Sequence, residues 1–147
     1  MIRTEFEYRE TLKRIESSEA AFIEEAVKFQ SKGLTPDQIK RMQAPGRFFL
    51  SQIRDEVENY ERLKLGRFDD LHNLQGIGQL LIRLRIASGL SQRDLAERLG
   101  VHESQVSRDE RNEYHGVTVD RANRILEALG AKVTTHVDKV APLAKSA

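Results

Sequence analysis

Along the first 66 residues, apolar side chains recur at alternating steps of four and three. Tyr8, Leu12, Ile15, Phe22, Ala26 and Phe29 share one helical stripe, and Glu19 is its single polar interruption. Gly33 is the predicted stop. Thr35-Pro36-Asp37-Gln38 then supplies a hydroxyl cap, a proline at the first helical position and a glutamine placed to close a capping box. The helix starting there is predicted to be short and to end near Ala44-Pro45-Gly46, because proline lacks an N–H and crowds the preceding turn. From Arg47 to Leu65, Leu50, Ile53, Val57, Tyr60 and Lys64 repeat the spacing, Phe49 and Leu63 widen the stripe, and Gly66 closes it. Two long stripes joined in this way predict an antiparallel helical hairpin. A two-helix hairpin buries too little to stand alone, so a further partner is expected: a second copy, the rest of the chain or another protein.

Residues 67–76 are polar and mark the predicted junction; the Asp69-Asp70 pair within them is read as solvated or capping. Beyond it, short helical signals follow quickly. Ile77, Leu81 and Leu84 mark one face of a helix that ends at Ser88-Gly89. Ser91 caps the next, with Asp94 three residues on; Leu95, Ala96 and Leu99 form its inner face, and Gly100 follows. After Val101, a third start runs His102-Glu103-Ser104-Gln105-Val106-Ser107-Arg108. Two short helices joined by a glycine turn predict a helix-turn-helix: Ala96 must be small where the next helix crosses, and Gly100 sits where the chain turns left-handed. A last helix runs from its cap Thr118 to Leu129, with Ala122, Ile125, Leu126 and Leu129 inward and Gly130 as stop. Val133, Thr135 and Val137 then alternate with polar residues, a strand signature; a lone strand cannot pair with itself, so the segment either pairs with its copy in a second subunit, the favoured reading, or is only a frayed tail. The expected architecture is all-α: a helical extension over 1–66, a junction over 67–76, a helix-turn-helix domain over 77–130, and a C-terminal β-strand and tail over 131–147.

Charge changes this picture locally, not globally. The chain of 147 residues holds 24 Lys and Arg against 23 Asp and Glu. Residues 76–130 carry eight arginines and eight acids, so any nucleic-acid binding must come from the placement of single arginines, not from bulk attraction. No apolar run approaches the roughly 20 residues of a membrane span, and no apolar leader follows Met1-Ile2-Arg3. Cysteine is absent, which removes thiol chemistry and disulfides and fits a reducing compartment. A cytoplasmic protein with no membrane association is expected.

The run Leu90-Ser91-Gln92-Arg93-Asp94-Leu95-Ala96-Glu97-Arg98-Leu99-Gly100-Val101, continued through Val106-Ser107-Arg108-Asp109-Glu110-Arg111, resembles the helix-turn-helix of Cro and the phage repressors, the xenobiotic-response-element family. The resemblance covers roughly residues 76–130. It implies a five-helix domain whose helix from about His102 lies in the major groove of double-stranded DNA. It departs from the family pattern at His102, where Ser or Thr usually caps, at Asp109, usually apolar, and at Asn112, commonly glycine. Carried over by position, Gln92 clamps a phosphate and buttresses the first base-reading residue, while Glu103 and Ser104 take the first exposed positions of the reading helix. Arg108, one turn along the same face, reaches guanine or a phosphate. Gln105 and Ser107 flank that face, and His102 and Arg111 complete the set of expected DNA contacts. Glu103 keeps two readings: accepting from cytosine N4, or complementing the helix dipole.

Catalysis finds little support. Gly76-Ile77-Gly78 lacks the third glycine and the preceding strand of a dinucleotide loop. His72, His102, His115 and His136 have no metal-ligand spacing, so neither metal nor cofactor is expected. Three functions follow. One is a sequence-specific, repressor-like transcriptional regulator binding a two-fold operator as a homodimer. Another is an antitoxin resembling HigA, which represses its own operon and holds a toxin protein. The third is a protein-interaction module with a degenerate helix-turn-helix.

Overall fold

The computed structural model describes residues 1–140; the end of the expected tail, 141–147, lies outside the described residues. Thr4 opens α1 (Glu5–Ser31) with a capping box, its hydroxyl accepting from the Glu7 N–H while the Glu7 carboxylate accepts from the Thr4 N–H. The second capping box, Thr35 with Gln38, opens α2 (Pro36–Lys64) with proline at its first position. The two helices pack along their length as the predicted hairpin. Tyr8, Ile15, Phe22, Ala26 and Phe29 of the predicted seam are all half-buried. Leu12 is more open, at 39% exposed, and the interrupting Glu19 is paired with Arg54 of α2.

One expectation fails here: α2 does not stop near Ala44-Pro45-Gly46 but runs unbroken through them. Pro45 still removes one intrahelical hydrogen bond, at a cost of about 3 kcal/mol in an isolated helix. Tertiary contacts on either side hold the helix together. Gln43 is buried and donates from Nε2 to the Phe22 carbonyl at 2.8 Å and to the Glu25 carboxylate at 3.2 Å, while Arg47 donates to its Oε1. The Arg47 guanidinium in turn covers the Phe22 ring. Gly46 is there because that ring lies on the helix backbone: a Cβ would stand 2.8 Å from its Cζ.

After the junction, four further helices follow: α3 (Ile77–Ala87), α4 (Gln92–Leu99), α5 (Glu103–Arg111) and α6 (Val119–Leu129). The helix-turn-helix unit therefore has four helices, not the five that the resemblance implies. The chain beyond Gly130 is irregular, and the outer side of α3 is packed instead by the end of α2. Ile2, Val57, Tyr60 and Leu63 from the N-terminal part join Leu81, Ile82, Ile86, Leu95, Val106, Ile125 and Leu129 in one buried cluster. Continuity of that apolar cluster fastens the hairpin to the helix-turn-helix unit. The predicted strand at Val133, Thr135 and Val137 is also corrected: among the described residues there is no strand, and Val137 is 82% exposed. Alternation alone does not make a strand, which exists only as part of a ladder.

Tyr8 and Tyr60 join the two helices of the hairpin, and the tyrosines should make stability fall in alkali. Tyr8 and Tyr60 stack at 5.0 Å between centroids, and the Tyr8 hydroxyl donates to Glu61 at 2.7 Å. That bond to Glu61 raises the Tyr8 pKa, whereas burial and the nearby Glu5 push Tyr60 up to about 12. Burial, then Glu110 and Asp109, raises Tyr114 further. A raised folded-state pKa keeps the proton on in the native protein, so the stabilisation is complete below the unfolded value of 10.0 and drains away as pH climbs towards about 12. Urea unfolding at stepped alkaline pH should show stability falling across that window, and less steeply in Tyr60→Phe.

Candidate nucleic-acid interface

The turn between α4 and α5 is built as the spacing requires. Ser91 caps α4: its hydroxyl accepts from the Asp94 N–H, and both its hydroxyl and its backbone N–H donate to the Asp94 carboxylate, which is thereby held below the usual carboxylate range. Leu95 and Ala96 are buried against α5, and Val106 closes the crossing from the other side. Gly100 takes φ +67°, the left-handed conformation that a side chain would oppose by roughly 1 kcal/mol or more.

His102 caps α5 in place of a hydroxyl residue. Its Nδ1 accepts from the Ser104 N–H at 3.2 Å, and the Ser104 hydroxyl lies 2.8 Å from the same nitrogen. Removing the cap with His102→Ala should destabilise α5 by about 1 kcal/mol, and His102→Ser should restore it; thermal unfolding of both variants checks this.

His102, Glu103, Ser104, Gln105, Arg108 and Arg111 are exposed, and Ser107 is half-buried beside them. The structure thus brings the expected residues of α5 to the surface together. Arg108 and Arg111 form no ion pair among the described residues, leaving both guanidiniums available. Most other arginines of the unit are engaged, Arg93 with Glu97, Arg98 with the Ala128 carbonyl and Arg121 with Asp109, while Arg124 of α6 is also exposed and unpaired among the described residues. Internal pairs consume arginines and acids alike, so the charge that α5 presents comes from its unpaired arginines and Glu103.

Gln92 is placed differently from a free phosphate clamp. It is half-buried, and its Nε2 donates to the Glu110 carboxylate at 2.8 Å. Glu110 is wholly buried and paired with Arg85, whose Nε donates to Oε1 and whose Nη2 donates to Oε2 at 2.7 Å. Arg85 also donates to the carbonyls of Leu90 and Arg3. The pair is the main feature that reading by spacing missed. The available signal was Arg85 itself, four residues after Leu81 on the inner face of α3, where Leu84 had been the expected occupant and is only half-buried. Asp109 is explained by the Arg121 pair: an ion pair between α5 and α6 stands where the family pattern has an apolar side chain.

The loop after α5 is held tightly. Glu113 and Tyr114 both take left-handed backbone, at φ 51° each, and Tyr114 is buried. Gly78 meets this loop directly, since a Cβ there would lie 2.0 Å from the Glu113 carbonyl oxygen. The glycines of Gly76-Ile77-Gly78 thus serve helix entry and close packing.

Residues 77–137 match the family model of a helix-turn-helix domain. No curated protein matches the chain, and no solved structure does. The match supports a DNA-binding protein. Among the described residues, no helix is long and apolar enough to cross a membrane, and no three His, Asp or Glu side chains are grouped to hold a metal ion.

Proposed function

We propose that the protein is a sequence-specific, repressor-like regulator of transcription that reads double-stranded DNA with α5, as a homodimer on a two-fold operator. The observation that carries this reading is the exposed row Glu103, Ser104 and Arg108 on a packed helix-turn-helix, with Arg108 and Arg111 unpaired among the described residues. Arg108 can offer two parallel donors to guanine O6 and N7, and Ser104 can accept from an exocyclic amine of adenine or cytosine. One short helix reads too few base pairs for useful specificity, so two are required about 34 Å apart.

Support for a second copy comes from the hairpin. The 27-residue α1 contains no buried residue, and Ile23, Val27, Met42, Phe48 and Phe49 are exposed on the two hairpin helices. The same surface favours one alternative, a HigA-like antitoxin whose hairpin also holds a toxin protein.

Footprinting and quantitative binding on the region upstream of its own gene test the proposal. Arg108→Ala should weaken specific binding by about 1–3 kcal/mol and relax base preference at one position per half-site. With so few free arginines, log K should fall shallowly with log salt, with a slope of about −3 to −5 for the dimer. A folded sample that protects no DNA at low salt overturns the reading.

A further inference from the structure

The segment before α1 touches the helix-turn-helix unit at two ends. Ile2 is 4% exposed and lies in the shared buried cluster with Leu81 and Ile86 of α3. The backbone carbonyl of Arg3 accepts from Arg85 Nη2 at 2.9 Å, across 82 residues of sequence. The Arg3 guanidinium lies 3.8 Å from the Glu113 carboxylate, in the loop that follows α5.

From Arg85 a continuous set of hydrogen bonds runs to the surface. Arg85 is 2% exposed and Glu110 is 0% exposed, so neither can swing away to solvent. Glu110 in turn accepts from Gln92 Nε2. A carboxylate only accepts, which fixes the Gln92 amide with its nitrogen inward and leaves Oε1 and one N–H free. Had Glu110 been exposed, water would screen each link; burial makes the carboxylate's position depend on its few partners.

We propose that Ile2 and Arg3 are positioning residues for the DNA-reading face, acting through Arg85 and Glu110 on the orientation of Gln92. The hairpin then has a second role besides pairing copies: whatever displaces the segment at its base alters how Gln92 is presented. Gln92 as a DNA contact rests on the reading in the previous subsection; the coupling from Ile2 to Gln92 does not.

The test uses the full chain and two readouts. In the DNA-free protein, the side-chain amide resonances of Gln92 should move in Ile2→Ala, although no bond joins the two residues. On DNA, Ile2→Ala should weaken binding roughly three- to tenfold when Gln92 is present and by less than about twofold in a Gln92→Ala background. A purely structural role for Ile2 predicts equal losses in both backgrounds, and that result overturns the proposal. So do unmoved Gln92 resonances. If Ile2→Ala fails to fold, Ile2→Val gives the same resonance readout with a smaller cavity. Wild-type protein that binds no DNA sinks the regulator reading, while the resonance readout still decides the coupling.

Discussion

Glu110→Ala is expected to cost about 3–5 kcal/mol, a large fraction of the stability of a protein this size, because it strands the Arg85 guanidinium in the core without its carboxylate. Arg85 is 2% exposed, so its charge cannot reach water without opening the packing of α3 against α5. Its remaining acceptors, the carbonyls of Leu90 and Arg3, are neutral dipoles and offset only part of the loss. The sharper result comes from removing both charges. Arg85→Met with Glu110→Leu should recover much of the stability, since a buried pair often contributes little over a packed apolar pair of similar volume. Gln92 would still lack its anchor in that double variant. Urea unfolding of the single and double variants, with DNA binding measured on each, separates the two roles. If the single variant were as stable as the parent, the pair would not be the buried, mutually dependent unit described here.

The second large effect is one of sign. Glycine inside a helix is ordinarily improved by alanine, by nearly 1 kcal/mol. At Gly78 the change should instead destabilise by about 3 kcal/mol or more. The added Cβ would stand 2.0 Å from the Glu113 carbonyl oxygen and 3.1 Å from the Tyr114 Cβ. Backbone atoms and a buried ring cannot turn aside as a flexible side chain would. The loop has no slack either, with two consecutive residues already in left-handed backbone. Gly76→Ala makes the control: it strains φ +80° but meets its nearest atom only at 3.5 Å, so it should cost about 1–2 kcal/mol. Chemical denaturation of the two variants under one condition decides the matter, and a milder loss at Gly78 than at Gly76 would refute the account of that contact.

The helix-turn-helix was legible because its determinants are local. Ser91, Ala96, Gly100 and Val106 each answer a requirement set by residues a few positions away, and the caps and the crossing lie where those positions demand. Pro45 misled for the opposite reason. Its local cost is real, and what outweighs it, Gln43 on the Phe22 carbonyl, comes from 21 residues away. The Arg85–Glu110 pair was hidden in the same manner: 25 residues apart, each charge reads alone as a solvated surface group. Val133, Thr135 and Val137 show the limit of pattern, since alternation states a preference for pairing and cannot supply the partner. On α5 the exposed residues were legible as a set, whereas the inward turn of Gln92 was not, because it depends on a buried acid eighteen positions later.

The proline inside α2 also bears on how the molecule loosens. With no N–H at Pro45, the carbonyl one turn earlier has no donor within the helix, and the two halves of α2 are joined by one fewer bond than any neighbouring pair of turns. The half beyond it is anchored at the buried Leu50, Val57, Tyr60 and Leu63, while in the half before it Gln43, held on the Phe22 carbonyl, is the one buried residue. Amide exchange should therefore divide the hairpin at this point, the tip opening as a unit of its own at a free energy well below global unfolding. A partner gripping the tip would hold the less stable of two units in series, and the helix-turn-helix at the far end could remain folded while that grip was made and released.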